Sequence, residues 1–472
     1  MKKFIAVLFS FFLFVGSLSS QHKKNVLLIC IDDLRPELAC FGADYIKSPH
    51  IDALAKKSRM FRNHYVNAPS CGPSRYTLLT GVYGPPKNNA LFLRSKKVKE
   101  KGVTPSMPEW FRSKGYTTVS IGKVSHHPGG MGGKNWDDPS VIEMPNAWDE
   151  HLMPVAEWQH PRGAMHGLAN GEIRMKPAEM DVYQSVDGDD FLYPDGSIAE
   201  QAMKTLGYLT QNQEKPFFLA VGFIRPHLPF GAPKKYLDLY QNTKLPSIPS
   251  PQKPKGKSTW HASSEFMKYN RWGKNPNEDK EFAEQVRLHY AACVSYADAQ
   301  VGKLLKELKN TGADKSTIVV LWGDHGWNLG DHGIWGKHNL FEEGLHSPLL
   351  ISYPGLKKKG NKSNAIVETV DVFPTLCELT ENEIPNFTSG TSLLTVLEKP
   401  KNKGHVAFSY NSKATSIRTD RYRFTKHKTG EVELYDHQID PFEKKNIAAN
   451  NPTLVKKLTL ILNDKVALKS KY

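Results

Sequence analysis

Cysteine is scarce in this chain, and the few cysteines are widely spaced. The 472 residues include five, with no Cys-x-x-Cys pair. This pattern excludes a disulfide scaffold and a cysteine-rich zinc site. An odd count leaves at least one thiol without an internal partner, and one disulfide among the four other than Cys71 stays open. The five are Cys30, Cys40, Cys71, Cys293 and Cys377.

Apolar runs of membrane length are also missing. Residues 1–3 are basic at two positions, residues 4–15 are apolar apart from one serine, and residues 16–20 are mostly small. This layout is typical of a secretory signal peptide, and the apolar run is too short to span a bilayer. No cysteine follows closely enough for a lipid anchor. We therefore predict a signal peptide at 1–20 and an exported protein, periplasmic or secreted, without a stable membrane anchor.

Charge is not balanced. The formal net charge is +15, and removal of Lys2 and Lys3 with the signal leaves +13 (15 − 2). A basic exported protein attracts polyanions, such as nucleic acid or a sulfated polysaccharide. Solubility alone explains the charge equally well. The hydrophobic fraction of 39% is that of a globular protein, and the length is enough for a large core.

Apolar segments of strand length alternate with amphipathic segments of helical period. This alternation predicts an α/β fold with a mainly parallel central sheet flanked by helices. Acidic residues follow two of the strands directly: Asp32-Asp33 and Asp324. In such sheets the site lies at the carboxyl ends of the strands, so the two acidic groups can converge. The predicted strands are 25–31, 117–121, 216–223 and 317–322, and the predicted helices are 48–60, 107–114 and 281–310.

The chain is predicted to divide near residue 395. Residues 21–395 form the catalytic α/β domain, with two irregular insertions at 129–190 and 241–279. Loops of this length are more often functional than idle. Residues 396–472 form a small α+β C-terminal subdomain that ends in a helix at 452–468. No internal repeat is visible.

The sharpest local signal is Cys71-Gly72-Pro73-Ser74-Arg75. The proline predicts a helix that begins at Pro73 or Ser74, and backbone N–H groups at a helix start favour an anion. The guanidinium of Arg75 adds a cationic fork. The segment therefore indicates a reactive side chain beside an anion cradle. A buried structural cysteine and a simple thiol nucleophile are the alternatives.

Cys-x-Pro-Ser-Arg followed by Leu-Leu-Thr-Gly resembles the signature of the type I sulfatases. Further motifs resemble the iduronate-2-sulfatase branch of that family, and together they span nearly all of the mature chain. They are Asp32-Asp33-Leu34-Arg35-Pro36, Ser48-Pro49-His50-Ile51-Asp52, Gly122-Lys123-Val124-Ser125-His126, Arg225-Pro226-His227, Asp324-His325-Gly326-Trp327, Trp335-Gly336-Lys337 and Tyr435-Asp436-His437.

This resemblance implies the alkaline-phosphatase-like sulfatase fold and a modified residue 71. In the family the cysteine is oxidised to formylglycine, so a sulfatase-maturing enzyme is an expected partner. The hydrated aldehyde carries two hydroxyls; one attacks sulfur and expels the alcohol, and the other then loses its proton to release sulfate. The implied ligands of one metal ion, Ca²⁺ by their oxygen-rich chemistry, are Asp32, Asp33, residue 71, Asp324 and His325.

The resemblance also assigns roles to the basic residues. Lys123 and Lys337 would neutralise sulfate oxygens. His126 would assist elimination as a base, and His227 or Lys337 would protonate the leaving oxygen. Weaker candidates for substrate contact are Arg94, His127 and His338, together with Trp136, Trp148 and Trp158 in the first insertion.

The expected function is removal of sulfate from a sulfated oligosaccharide or polysaccharide, with no nucleic acid partner. Within that class the resemblance favours a 2-O-sulfated uronic acid residue of a glycosaminoglycan. Two alternatives stay open. One is a phosphomonoester or phosphonate hydrolase on the same fold, and the other is a non-catalytic protein that binds sulfated glycans.

Overall fold

The structure is a computed structural model that describes residues 23–98, 103–211, 214–255 and 261–470. The predicted signal peptide at 1–20 lies outside the described residues. The strands are β1 (Asn25–Ile31), β2 (Arg59–Tyr65), β3 (Thr117–Gly122), β4 (Met131–Gly132), β5 (Asp138–Ile142), β6 (Glu150–Leu152), β7 (Tyr183–Val186), β8 (Phe217–Phe223), β9 (Phe230–Pro233), β10 (Thr317–Gly323), β11 (Asn328–Leu329), β12 (Trp335–Gly336), β13 (Leu349–Ser352), β14 (Lys362–Glu368), β15 (Ala407–Tyr410), β16 (Ala414–Arg418), β17 (Tyr422–His427) and β18 (Val432–Asp436).

The helices lie between these strands and after them. They are α1 (Pro49–Ala55), α2 (Cys71–Thr80), α3 (Ala90–Val98), α4 (Met107–Ser113), α5 (Pro161–Met165), α6 (Pro194–Gln211), α7 (Lys234–Asp238), α8 (Lys280–Asn310), α9 (Glu342–Leu345), α10 (Val372–Leu379), α11 (Leu394–Glu398) and α12 (Pro452–Lys469).

An eight-stranded sheet forms the centre of the molecule, in the order β14-β2-β13-β10-β1-β8-β3-β6. β1 is parallel to both of its neighbours, β10 and β8, and β3 is parallel to β8 and β6. Only β13 runs against its neighbours, β10 and β2. The prediction of a mainly parallel sheet is therefore confirmed.

Alternate residues of β1 pack on opposite faces of this sheet. Leu27, Ile29 and Ile31 belong to one core cluster, which also holds buried residues of α6 and α8. Val26 and Leu28 belong to a second cluster, which holds residues of α2, α4 and α10. Each buried leucine or isoleucine contributes about 1.5–3 kcal/mol. Because both faces are buried, β1 is a continuous apolar run, as expected for a parallel strand.

One sequence prediction about local structure is wrong in its extent. The helix predicted at 48–60 ends at Ala55, and residues from Arg59 form β2 instead. Lys57 and Ser58 lie in a turn, and Met60 and Phe61 of β2 are buried. The prediction continued the helical spacing of Ile51 and Leu54 into residues that belong to β2. This strand begins four positions after the last residue of the helix.

The C-terminal part forms a second, smaller sheet of four antiparallel strands, β15-β16-β17-β18. Leu458 and Leu462 of α12 are buried against it, in a cluster that also contains Ala68 and Tyr83 of the larger part. The small subdomain therefore shares a core with the region just before and after α2. Val396 and Leu397 of α11 pack into the core of the large sheet, and the boundary at residue 395 stays a prediction.

All five cysteines are described, and all are free, so the disulfide that the sequence left open does not form. Among the described residues, no helix is both long and apolar enough to cross a membrane.

Candidate active site

Four adjacent parallel strands end at the same edge of the central sheet, and each is followed by polar residues. Because β10, β1, β8 and β3 are neighbours, their carboxyl ends share that edge. Asp33 has a left-handed backbone, with φ of 58°, so the chain turns sharply where β1 stops. The residues delivered are Asp32 and Asp33 after β1, Asp324 and His325 after β10, His227 after β8, and Lys123 after β3.

Cys71 lies at the start of α2, facing these strand ends. The helix begins at Cys71, two residues before the start that the sequence predicts at Pro73. A proline is tolerated in the first turn because the N–H groups of that turn have no helical partner. A side chain at Gly72 would lie 2.3 Å from backbone atoms of Asn88, so only glycine fits there. Cys71 is 2% exposed. The tight packing fixes the direction of its side chain.

The Cys71 sulfur contacts three of the predicted site residues. Sγ lies 3.4 Å from Oδ1 of Asp32, 3.3 Å from Nε2 of His325 and 3.2 Å from Nζ of Lys337. Burial and the Asp32 carboxylate hold the pKa of the thiol well above its usual range. The unmodified thiol is therefore a weak nucleophile, because the thiolate is the reactive form.

Arg75 lies behind the carboxylates and away from the pocket wall. Its Nη2 is 3.2 Å from Asp32 and 3.0 Å from Asp324, and Nη1 donates to the carbonyls of Lys123 and Val124. The side chain is fully buried. All of its named partners are protein oxygens, which differs from the anion cradle that the sequence predicts. In this structure Arg75 positions the two carboxylates.

Two lysines neutralise the other sides of the acidic group. The Lys123 ammonium pairs with Asp32, and Nζ of Lys337 lies 2.8 Å from Oδ1 of Asp33. Burial alone would raise the pKa of Asp32, but the charges of Lys123, His227 and Arg75 together hold that pKa well below the usual range. Burial would lower the pKa of Lys337, but the acidic groups around it, Asp33 first among them, together hold it well above the usual range. Burial and the neighbouring Asp32 raise the pKa of Asp324 to about 7.

The acidic group fits a divalent cation. Ligand atoms of Asp32, Cys71, Asp324 and His325 all lie within 4.8 Å of one another, and all four residues are buried. Nδ1 of His325 donates to the Gly326 carbonyl at 3.0 Å, so its Nε2 lone pair faces the carboxylates. Burial lowers the pKa of His325 to about 3, which keeps the ring neutral. Adjacent buried carboxylates with an inward lone pair are a ligand set for a metal ion.

Two histidines lie on the wall of the pocket above this group. Nδ1 of His227 donates to the Leu228 carbonyl at 2.6 Å, and its Nε2 faces Asp33 at 3.9 Å. His126 is half-buried, and its buried Nδ1 atom has no hydrogen-bond partner among the described residues. Burial, and then Lys123, holds the pKa of His126 well below its usual range. A neutral His126 is suited to accept a proton.

The pocket has a volume of about 390 Å³, and both insertions line it. Trp136 and His166 come from the first insertion, and Glu265, Lys268 and Tyr269 come from the second. The expectation that these irregular segments contribute to function is consistent with their position.

Sequence reasoning missed Glu265. Its carboxylate lies 3.6 Å from Nε2 of His227, 3.5 Å from Nζ of Lys337 and 4.0 Å from Nδ1 of His338. Burial would raise its pKa, but Lys337, His227 and His338 together hold it well below the usual range. No motif surrounds Glu265 in the sequence. The irregular insertion around it was the only available signal.

Three of the weaker candidates for substrate contact do not line the pocket. Arg94 pairs with Glu109 at 3.6 Å and does not line the pocket. Trp158 is fully buried, with Nε1 donating to a backbone carbonyl at 2.8 Å. The half-buried ring of Trp148 packs 6.1 Å from the ring of Phe218, which lies in the core. Trp158 is therefore a core residue, and Trp148 packs against the core.

The other weak candidates lie at the pocket. Trp136 and His338 line it directly. His127 lies behind the wall: its Nδ1 is 3.1 Å from Glu143, and its ring centroid is 4.3 Å from that of Trp136. His127 thus supports Trp136, which is the one predicted tryptophan in contact with the pocket.

Comparison with known proteins agrees with this geometry. Residues 24–382 match the Sulfatase family. The chain belongs to the sulfatase family. Residues 330–469 also match the C-terminal region of N-sulphoglucosamine sulphohydrolase. This sulfatase is thus a sulfuric ester hydrolase, as predicted, and membership argues against the non-catalytic alternative.

Individual relatives support the same assignment. The sulfatase is 32% identical to human iduronate 2-sulfatase over 409 residues, which cover 78% of this chain and 70% of that protein. It is 31% identical to a sulfatase of Formosa agariphila, over 91% of this chain and 83% of the other. A phosphonate monoester hydrolase from Silicibacter pomeroyi has the same fold, with a TM-score of 0.74, 23% identity, and coverage of 94% and 96%. The predicted alkaline-phosphatase-like fold is therefore confirmed.

Proposed function

We propose that this sulfatase is an exported enzyme that removes sulfate from a sulfated sugar of a glycosaminoglycan or similar polysaccharide. Formylglycine formed from Cys71 would provide the nucleophile, and a sulfatase-maturing enzyme would form it. The observation that carries the proposal is the position of Cys71, whose sulfur lies within 3.4 Å of Asp32, His325 and Lys337 at the base of one pocket. The finer substrate that we propose is a 2-O-sulfated uronic acid residue.

One Ca²⁺ ion would be held by Asp32, Asp33, Asp324, His325 and residue 71. The mainly carboxylate ligands favour a hard cation, and the single imidazole is the exception. When bound, the ion would polarise a sulfate oxygen and favour ionisation of the residue 71 hydroxyl. Arg75 keeps two of the carboxylates in position.

The basic residues on the wall would bind the sulfate group and move protons. Lys123 and Lys337 carry charge at the pocket base, where water is largely excluded and hydrogen bonds to anionic oxygens are strong. His227 keeps a proton on Nδ1 through the Leu228 carbonyl, so Nε2 is the atom that faces the substrate. We propose Nε2 of His227 as the donor to the leaving oxygen. His126 would accept the proton when sulfate is expelled.

A carbohydrate substrate is supported by the pocket and by the relatives. Trp136 offers an aromatic face, and Glu265 offers an acceptor for sugar hydroxyls. The human relative is an iduronate 2-sulfatase. The net charge of +15 is also complementary to an anionic glycan.

Two measurements test the proposal. Sulfate release is assayed on a panel of defined sulfated oligosaccharides, and the peptide that holds residue 71 is weighed by mass spectrometry. Conversion to formylglycine replaces one sulfur and two hydrogens by one oxygen. We expect release from a glycosaminoglycan fragment and more than about 10³-fold loss in Cys71→Ser, which lacks the second hydroxyl. Multiple turnover by Cys71→Ser at the parent rate would reject the mechanism.

A phosphomonoester or phosphonate hydrolase is the second candidate. The specific observation in its favour is the shared fold with the phosphonate monoester hydrolase, over 94% of this chain. A site with a metal ligand set and two lysines would also accept a tetrahedral phosphoryl group. Assay of matched 4-nitrophenyl sulfate and phosphonate esters decides between them. A kcat/KM that is higher for the phosphonate would favour this candidate.

A further inference from the structure

A second pocket adjoins the active-site pocket and is formed by both parts of the chain. We call it the adjoining pocket; its volume is about 230 Å³. Ser70 and Pro73 contribute from the start of α2, and Ala262 from the second insertion. Tyr410 contributes from the end of β15, and Lys413 from the turn between β15 and β16. The C-terminal subdomain therefore builds one wall within reach of the candidate active site.

The two pockets share a wall. His338 lines both, and its backbone has φ of 75°. Its N–H donates to the Pro69 carbonyl at 3.0 Å, and its ring lies 3.3 Å from the Ser263 hydroxyl. These contacts hold His338 at the boundary between the two pockets.

A second link joins the pockets at the helix start. The Ser70 hydroxyl, on the adjoining pocket, donates to Oδ1 of Asn88 at 2.6 Å, and Asn88 lines the active-site pocket. His338 and the Ser70–Asn88 pair therefore lie where the two pockets meet. A glycan whose sulfated residue lies at Cys71 would meet the adjoining pocket at this boundary.

The lining has the character of a sugar site. Its base is apolar, formed by Ala68, Pro69, Pro73 and the ring of Tyr410, while the exposed Ser412 and Lys413 lie at its edge. A sugar ring presents C–H groups on its faces and hydroxyls around its edge, which matches this distribution. The volume is below the usual range for drug-sized ligands, so it suits a single ring. Lys413 adds positive charge for an anionic substituent.

The turn that carries Lys413 is held in place. Oδ1 of Asn411 accepts hydrogen bonds from the backbone N–H groups of Lys413 and Ala414, both at 2.9 Å. The N–H of Tyr410 donates to the Asn67 carbonyl at 2.9 Å, which ties the small sheet to the segment before Cys71. The wall is therefore preformed, and ligand binding requires little reordering of the backbone.

We propose that the adjoining pocket binds the sugar next to the sulfated residue in an anionic glycan chain. This inference rests on the proposed function and extends it: the enzyme recognises at least two consecutive sugars, and the C-terminal subdomain provides the second contact. Lys413 is a specificity-determining residue in this scheme, with no part in the chemical step.

Two variants test the adjoining pocket. Lys413→Glu reverses the charge at its edge, and Ser412→Trp fills it; both positions are exposed, so folding should be retained. Lys457→Glu, on an exposed position of α12, is the matched control for net charge. The substrates are 4-methylumbelliferyl sulfate, which reaches only the active-site pocket, and a heparin-derived sulfated tetrasaccharide.

We expect kcat/KM for the tetrasaccharide to fall about tenfold in Lys413→Glu, mainly through KM, as for loss of one charged contact. Hydrolysis of the aryl sulfate should stay within about twofold, and Lys457→Glu should change neither. Equal losses on both substrates, or an unchanged tetrasaccharide KM in both pocket variants, would overturn the inference.

A binding measurement separates this inference from the proposed function. Tetrasaccharide affinity is measured by calorimetry on Cys71→Ala protein with and without Lys413→Glu, so it does not depend on turnover. A parent that releases sulfate while both proteins bind the tetrasaccharide equally well rejects only the adjoining pocket. A parent that releases no sulfate from any substrate rejects the proposed function, and about tenfold weaker binding in Lys413→Glu would still support the pocket.

Discussion

Replacing Arg75 with methionine should destabilise the protein more than any exposed arginine would. The guanidinium is fully buried between Asp32 and Asp324, at 3.2 and 3.0 Å. Methionine fills similar space but leaves two adjacent carboxylates with one fewer counter-charge. Removing one partner of a buried ion pair costs about 3–5 kcal/mol. Two backbone carbonyls also lose their donors.

The matched control is Arg112→Met. Arg112 pairs with Asp149 at 2.7 Å, but both side chains are at least a third exposed, so its loss costs about 0–1 kcal/mol. Thermal unfolding of both variants is followed with chelator present and again in millimolar Ca²⁺. We expect Arg75→Met to melt roughly 5 °C or more below the parent in chelator, and the deficit to shrink in Ca²⁺ because a bound cation restores positive charge. Equal melting temperatures for the two variants would refute the reasoning.

Three other outcomes follow from the structure. His227→Ala should reduce hydrolysis of alkyl sulfates by about 10²–10⁴-fold and of aryl sulfates far less, since aryl leaving groups need little protonation; equal losses would remove His227 as the acid. Burial would lower the pKa of His405, but Asp371 and Glu368 together raise it to about 11, above its unfolded value near 6.5. The stability gap between parent and His405→Gln in denaturant should therefore be full below about pH 6.5 and close as pH rises toward 11. Glu433 accepts hydrogen bonds from His261 and His427 at 2.7 and 2.5 Å, so Glu433→Gln should speed proteolysis of the second insertion; an unchanged cleavage rate would contradict this anchor.

The convergence of the acidic residues was predictable because it follows from topology. Asp32 and Asp324 each follow an uninterrupted apolar strand, and parallel strands end at a common edge. The separation of 291 positions between Asp33 and Asp324 does not matter once β1 and β10 are neighbours. The motif around Cys71 likewise depends on short-range features that the sequence displays directly.

Other features depend on packing that no local pattern encodes. Arg75 looks like an anion ligand in sequence, yet its partners are two carboxylates and two carbonyls brought together by the fold. Glu265 lies in an irregular insertion and acquires its role only by contact with His227 and Lys337. β2 was missed because its exposed Arg62 and polar Asn63 interrupt the apolar alternation.

The burial of Cys71 bears on whether its modification comes before or after folding. The folded protein leaves 2% of this residue accessible, and Lys337, which touches its sulfur, is 266 residues later in the chain. An enzyme that oxidises Cys71 would therefore have to reach an extended segment before β10 joins the sheet. Modification and folding would then compete in time, and a fast-folding variant would mature less completely than a slow one.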